Sequence, residues 1–341
     1  MNQLARQAVA IVKYNGVDVT EPLSEDLLDL SYTDGFSGRL DDLKIIVADP
    51  ERRWMGPWEP KEGDTIEATI RTINWGGPNE FKTLPLGTFE VDSAGLNGPP
   101  DVVTINSLSL PAGTGTRREK RSKAWEKVTL RTIAGDIASR ARLRLMFEAG
   151  DNPPYGRVDQ NEQADMPFLL DLCAREGIAI KVANGRLILF DEVVYEQRKA
   201  VTTLEYGRDS IDSYSFNWST TDAAYRACEL TYYNDKEKRE IRVTYTPPGA
   251  PSTGPVLKIR ESVDSEAEAL RVARKRLREQ NKNYGKASLS MAGDVRMAAG
   301  LTINIAGWGR YDGKYIIDQV THAVGSGGFR TSLEIRKVLG W

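Results

Sequence analysis

The chain has 341 residues, with 46 Lys and Arg against 48 Asp and Glu and a formal net charge of −2. This length suits two or three domains, and a nearly balanced charge excludes a general attraction to nucleic acid or to an anionic membrane. The sequence holds no run of about 20 apolar residues, so we expect no membrane span. The first residues lack the pattern of a secretory signal, and two widely separated cysteines, Cys173 and Cys228, favour reduced thiols.

The first third of the chain has the patterning of β-strands. Asn15-Gly16 lies between apolar runs and predicts a hairpin. Apolar and polar residues alternate over 28–32, 43–47 and 66–70, which predicts three strands. Residues 1–100 carry nine Lys and Arg against seventeen Asp and Glu, so this part is acidic. We predict a first β-domain over residues 1–112.

Three tryptophans in the first domain are candidate contact residues. Trp54 and Trp58 lie in a proline-containing segment, where aromatic side chains either anchor a partner or pack over the end of a sheet. Trp75 lies in the segment 74–79, which extends a hairpin. An exposed Trp75 at that tip would be a further contact residue.

A change of composition at residues 111–127 indicates a domain boundary. Gly, Thr and Pro are followed by a basic cluster that contains Arg117 and Arg118 and is followed by Trp125. The basic residues suit either a phosphate backbone or an acidic surface on a neighbouring domain or subunit. We favour the second interpretation because Trp125 is the one aromatic residue among them.

Residues 113–203 have the patterning of a small α/β insert. Thr129 can cap a helix over about 130–142, and a second helix over about 163–176 ends before Gly177. A hairpin with the turn Asn184-Gly185 follows.

Residues 204–341 are again β-rich and contain one long helix over about 265–281. Ser265 and Glu268 form a capping box at the start of this helix. Its polar face is basic, which is typical of a solvated face; the alternative is docking on an acidic surface of another protein. The basic residues are Arg271, Arg274, Lys275, Arg276 and Arg278.

The residue types needed for catalysis are not arranged in a recognisable motif. The sequence has no nucleophile elbow, no glycine-rich phosphate loop and no Cys/His spacing for zinc. The single histidine, His322, shares a strand face with Val320 and Val324, which favours packing over acid–base work. We predict a protein that is not an enzyme, with no catalytic residue, metal or cofactor.

Two stretches far apart in the chain share an unusual spacing. Residues 87–108 and 313–338 both read as a hairpin whose apolar spacing lengthens from two residues to three, after Val91 in the first and after Ile317 in the second. Strand side chains alternate with period 2, so the longer step predicts a bulge. A glycine–isoleucine spacing upstream also recurs, at Gly63–Ile66 and Gly300–Ile303. We therefore predict one β-domain present twice, with His322 matching Leu96.

Several segments together resemble the late control protein D family. This family comprises baseplate hub proteins of contractile-tailed phages and related injection particles, and the N-terminal part of type VI secretion spike proteins is similar to it. The matching stretches lie over 35–45, 98–105, 117–125, 159–169 and 320–334.

The resemblance implies a fold and an assembly. The chain would be mainly β (α+β), with two tail-tube-like β-barrel or sandwich domains around the small insert. Three such chains would form a homotrimeric ring between the tail tube protein and a trimeric spike, among other baseplate proteins of a virion or injection particle. Synthesis would be in the bacterial cytoplasm, without sequence-specific nucleic-acid binding. An acidic first domain lining the lumen would let DNA pass without sticking.

Two other functions remain as alternatives. The tryptophans at 54, 58 and 75 are also compatible with a glycan- or substrate-binding β-protein of a baseplate. A cell-wall hydrolase is the third hypothesis, since baseplates often carry one.

Overall fold

The computed structural model describes residues 5–109, 119–219, 224–234, 238–263 and 265–341. Within these ranges the chain is mainly β, as predicted, with one 13-stranded sheet and three smaller sheets. The barrel part of the expectation is wrong, because no sheet in the described residues closes on itself. Each sheet therefore has open edges.

The first domain consists of strands and one short helix. Its elements are β1 (Gln7–Tyr14), β2 (Val17–Asp18), α1 (Thr20–Asp26), β3 (Leu27–Gly35), β4 (Asp42–Ala48), β5 (Thr65–Ile73), β6 (Phe81–Asn97) and β7 (Val102–Leu108). Alternation places Leu43, Ile45 and Val47 of β4 in the core. The predicted hairpin is confirmed, since β1 and β2 pair around Asn15-Gly16.

The insert combines three helices with short strands. Its elements are β8 (Lys120–Thr129), α2 (Leu130–Arg140), β9 (Arg144–Phe147), β10 (Pro154–Ala164), α3 (Asp165–Glu176), β11 (Ala179–Ala183), β12 (Arg186–Phe190) and α4 (Glu192–Gln197). Both predicted helices are present, and α3 ends at Gly177 with φ +60°. Glycine accepts this left-handed conformation without the strain that a Cβ would bring.

The last part of the chain has two separate cores. Its elements are β13 (Thr203–Glu205), β14 (Ile211–Trp218), β15 (Ala227–Asn234), β16 (Arg239–Tyr245), β17 (Val256–Arg260), α5 (Glu266–Asn281), β18 (Gly285–Ala292), β19 (Thr302–Ala306), β20 (Gly313–Gly325) and β21 (Gly328–Lys337). Helix α5 begins as predicted, because Ser265 Oγ accepts from Glu268 N at 3.2 Å. It packs on the three-stranded sheet β16-β15-β17, away from the large sheet.

The large sheet repeats one strand order. Its first half runs β3-β4-β7-β6-β5-β1 and its second half β14-β18-β21-β20-β19-β13. Corresponding pairs are antiparallel in both halves, except that β13 runs parallel to β19 while β1 runs antiparallel to β5. The halves join where β20 pairs with β3, from Gln319↔Gly35 to Gly325↔Asp29.

The predicted bulges are confirmed at matching places. The ladder shifts between Val91 and Ser93 in β6, and between Ile317 and Gln319 in β20. Upstream, Gly63 N donates to Val91 O at 3.0 Å, and Gly300 N donates to Ile317 O at 2.8 Å. Both glycines have positive φ, +85° and +83°. Duplication itself stays a prediction, which these correspondences support. The division into three domains also stays a prediction.

Candidate assembly surfaces

The tryptophans at 54 and 58 differ in exposure. Trp54 is 7% exposed, and its Nε1 donates to Asp26 Oδ2 at 3.1 Å, so it packs at the end of the sheet. Trp58 is 39% exposed and stacks edge-on against Trp54. It lines a cavity of about 380 Å³ together with Tyr14 and Pro57. Only Trp58 of this pair is therefore accessible to a partner.

Trp75 is turned inward from its hairpin. Its side chain is half-buried, and Nε1 donates to the backbone oxygen of Gly293 at 2.6 Å. The ring also packs on Phe329 with centroids 5.5 Å apart. Both contacts lie in the second half of the large sheet, so the hairpin links the two halves within one chain instead of presenting an exposed ring.

Trp125 belongs to the core of the insert. It is 5% exposed, stacks on Phe168 at 5.5 Å and donates to Asp136 at 2.8 Å. These contacts give it a packing role within the insert. The predicted contact residues Arg117 and Arg118 lie outside the described residues.

The basic face of α5 docks within the chain itself. Arg271 and Lys275 lie 3.6 and 3.7 Å from Glu176 of the insert, and Arg276 Nε donates to Glu261 at 2.7 Å. The expectation of a solvated face is wrong for these residues. Their acidic partner surface lies on the same chain.

Buried ion pairs connect the insert to the second half of the sheet and to α5. Arg336 on β21 is 3% exposed, and it donates to Asp318 at 3.0 Å and to Glu192 of α4 at 2.9 Å. Its Nη1 also lies 2.7 Å from Glu196, although this contact is not aligned as a hydrogen bond. Glu196 pairs in turn with Arg278 of α5. No local pattern predicts this cluster, because its members are far apart along the chain.

A second cluster surrounds Lys181 of the insert. Its Nζ donates to Asp34, to the oxygen of Gly35 at 2.8 Å and to Asp41 at 3.2 Å. The other oxygen of Asp34 accepts from Ala299 N at 2.8 Å. One carboxylate therefore holds the insert, the first half of the sheet and the second half together. Burial raises the pKa of Asp41 to about 6, against the lowering effect of Lys181.

His322 is a satisfied core residue, as predicted. It is 1% exposed, with Nε2 3.0 Å from Met297 O and Nδ1 3.1 Å from Thr331 Oγ1. A neutral ring protonated on Nε2 satisfies both contacts, because Nε2 then donates to the carbonyl and Nδ1 accepts from the hydroxyl. Burial lowers the pKa of His322.

We expect His322→Leu to remove part of the acid sensitivity of folding. In the unfolded chain this histidine has a pKa of about 6.5 and binds a proton below it, whereas the buried ring of the folded chain stays neutral. Above about pH 6.5 this histidine is neutral in both the folded and the unfolded chain. Below that pH only the unfolded chain binds the proton, so the free energy of unfolding falls by at most about 1.4 kcal/mol per pH unit. Urea unfolding of both proteins at pH 7.5, 6 and 5 measures this difference.

The leucine variant should also lose a constant increment at every pH. Thr331 and Met297 lose a hydrogen-bond partner, which costs about 1–3 kcal/mol. Parallel stability curves for the two proteins across this pH range would contradict the assignment of the buried neutral ring.

The junction of β20 with β3 buries the side chains on its core face. Leu30 and Tyr32 of β3 are 0% and 8% exposed, and Val320 and His322 of β20 are 0% and 1% exposed. Tyr32 and His322 face each other in the register, with nearly parallel rings. This junction shows how the sheet buries these positions when a strand lies on each side.

Eight strands of the large sheet run in the order β14-β18-β21-β20-β3-β4-β7-β6, which we call the ladder. The strands at its two ends are open. Residues 93–97 of β6 pair with β7 alone, and β14 pairs with β18 alone, within the described part of the chain. Leu96 is 53% exposed and Tyr214 is 48% exposed. The β-rich pattern of residues 204–341 indicated strands here but not that β14 lies at an edge, which depends on the order of strands in the sheet.

The face of the ladder opposite the apolar cores is polar. Both signs of charge occur on it, with Asp29, Asp42, Asp212 and Glu334 beside Lys44, Lys286 and Arg330. Hydroxyl groups supply most of the remainder: Ser31, Thr33, Thr104, Ser213, Ser215, Ser288, Ser290, Thr321 and Ser332. The acidic surplus of the first domain is therefore not concentrated on this face.

Among the described residues, no helix is long and apolar enough to cross a membrane, and no three His, Cys, Asp or Glu side chains converge on a metal position. Cys173 and Cys228 are both buried and free, and burial raises the pKa of each thiol.

Comparisons with known proteins agree on one class. The family model described as "Phage tail baseplate hub (GPD)" matches residues 111–328. The probable baseplate hub protein of Escherichia phage P2 is 25% identical, covering 93% of this chain and 90% of that protein; the one of Escherichia phage 186 is 22% identical, covering 94% and 90%. The crystal structure of the 43 kDa tail protein of prophage MuSo2 from Shewanella oneidensis shares the fold, with a TM-score of 0.72 and 13% identity over 97% of this chain and 98% of that one.

Proposed function

Because the chain belongs to the phage tail baseplate hub (GPD) family, we propose that three copies form a hub joining a sixfold tail tube to a threefold spike. The hub then acts as a structural adapter between two symmetries and is not an enzyme. It resides in the baseplate of a virion or of an injection particle.

The repeated strand order is the observation that carries this proposal. Each chain presents the order β3-β4-β7-β6-β5-β1 and its counterpart β14-β18-β21-β20-β19-β13. Two similar units in each of three chains give six positions of similar shape for a sixfold tube. The units differ in their loops, so the opposite side of the ring is threefold and suits a trimeric spike.

The polar face of the ladder is the proposed lining of the channel. It carries both signs of charge and is rich in hydroxyl groups, in place of the acidic lining expected from composition. A polyanion such as DNA meets neither strong attraction nor strong repulsion there. The buried face, with its apolar cores, lies on the outer side of the ring.

The glycan-binding alternative has weaker support. Trp54 and Trp75 are engaged inside the chain, which leaves Trp58 beside its cavity as the accessible aromatic ring. A hydrolase needs an acid, a base or a nucleophile that converge on one site, and no observation favours such an arrangement. We propose neither activity.

Cryo-electron microscopy of assembled tail particles tests the hub proposal. We expect three copies of this chain in a ring between the tube and the spike, with a central channel. Density for a different protein at that position, or a single copy of this chain at the periphery, would overturn the proposal. A peptidoglycan-release assay on the purified chain should give no activity above buffer.

A further inference from the structure

We infer that neighbouring copies of this chain join by pairing two open strand ends, residues 94–97 of β6 in one copy and residues 215–218 of β14 in the next. We call this pairing the seam. It rests on the hub proposed above, and it adds which edges meet, in which register and on which face.

The junction of β20 with β3 is the template for the seam. β14 matches β3, since both pair with a following strand through a bulge, between Ile211 and Ser213 in β14 and between Leu27 and Asp29 in β3. Residues 214 and 216 thereby correspond to residues 30 and 32. The bulges in β6 and β20 likewise match residues 94 and 96 to residues 320 and 322.

The register of the template transfers directly to the open edges. His322 lies opposite Tyr32, and Val320 lies opposite Asp34. The corresponding partners in the seam are Leu96 opposite Phe216 and Ala94 opposite Trp218. A slip by one residue would turn every side chain to the other face, so this register is a specific statement.

Side chains are buried at the template junction, whereas their counterparts at the open edges are exposed. Leu30 and His322 are 0% and 1% exposed at the template, whereas Tyr214 and Leu96 are 48% and 53% exposed at the edges. The sequence keeps apolar or aromatic side chains at these open positions. A long edge strand with an apolar face is prone to pair with another chain, and natural proteins cover or charge such edges.

An aromatic platform at β14 suits the side chain of Leu96. Trp308 packs against Phe216 and Tyr214, with ring centroids 5.5 and 5.7 Å apart, and against Tyr206 at 5.5 Å. Tyr206 is 60% exposed, so the platform is open on one side. In the seam, Leu96 covers this platform as His322 covers Tyr32 at the template.

The occupant is a second copy of this chain because the complementary edge lies at the opposite end of the same ladder. The ladder runs β14-β18-β21-β20-β3-β4-β7-β6, with β14 at one end and the open part of β6 at the other. Pairing one end with the other is heterologous, and such contacts make a ring when the rotation closes.

Cysteine cross-linking tests the seam and its register. Directly opposed residues in an antiparallel pair have Cα atoms about 4.5–5.5 Å apart, within the range of a disulfide. The variant L96C/F216C, and independently A94C/W218C, should give covalent dimers and trimers on mild oxidation of the full chain. The control L96C/N217C places the second thiol on the other face of β14, and we expect about tenfold less product. The natural thiols at 173 and 228 are buried and are present in every variant, so they cannot account for a difference in cross-linking between variants.

The same oxidation is carried out on the purified chain and on assembled tail particles. Covalent trimers from either in-register pair, with little from the control, support the seam. Particles that hold three copies in a ring but give no in-register product overturn the seam and leave the hub standing. Equal yields in and out of register also overturn it. Cross-linked trimers of a chain that is absent from tails would overturn the hub and leave the seam standing.

Discussion

Arg336→Met is expected to lower the free energy of unfolding by about 3–5 kcal/mol, because removing one partner of a buried ion cluster leaves the other charges uncompensated. Glu192, Glu196 and Asp318 would then face only Lys282 and Arg278. Urea unfolding followed by tryptophan fluorescence and circular dichroism measures the effect.

The matched control for this variant is Arg330→Met on the same strand. Arg330 points to the polar face, is half exposed and pairs with exposed Asp212, so we expect a change of about 0–1 kcal/mol. Equal losses in the two variants would show that the buried cluster contributes no more than a surface pair. A loss below about 1 kcal/mol for Arg336→Met would lead to the same conclusion.

Lys181→Met is expected to destabilise the chain by a similar amount, about 3–5 kcal/mol at pH 7. The variant leaves Asp34 and Asp41 close together without their shared cation. The effect should shrink as the pH falls toward about 6. Burial raises the pKa of Asp41 to about 6 even with Lys181 present, that pKa rises further once the lysine is removed, and a protonated Asp41 needs no counter-charge. Unfolding measured at pH 7.5 and pH 5 gives both values.

Lys44→Met is the control for this second variant. Lys44 is an exposed lysine on the neighbouring strand β4, so its replacement should change stability by less than about 0.5 kcal/mol at either pH. A loss for Lys181→Met that stays the same at both pH values would contradict the role assigned to the carboxylates.

Local patterns in the sequence predicted those parts of the fold that local physics decides. The three-residue steps after Val91 and Ile317 predicted two bulges, and both are present. The capping box at Ser265 and the glycine at 177 correctly marked the ends of two helices. Each of these signals acts over a few residues, so it is readable without knowledge of the partner strands.

Contacts between distant segments were not predictable in the same way. Trp54 and Trp75 have the composition of contact residues, yet their indole N–H groups are satisfied inside the chain. The basic stripe on α5 has the pattern of a solvated face, whereas Glu176 of the insert partners two of its residues. Only the tertiary arrangement decides whether such a side chain faces solvent or another part of the same chain.

The inward-turned hairpin around Trp75 has a consequence for how the ring would come apart. Trp75 donates a hydrogen bond to the backbone oxygen of Gly293 and packs on Phe329. Each chain therefore has a second contact between its two half-sheets, besides the pairing of β20 with β3. No equivalent hairpin extends from β19 and β20, because the distance from Gly300 to Ile317 is eleven residues shorter than that from Gly63 to Val91. The proposed seam between chains would therefore lack this second contact. In a ring of three such chains, three of the six joints would lie within a chain and three between chains, so assembly and dissociation would proceed by whole chains.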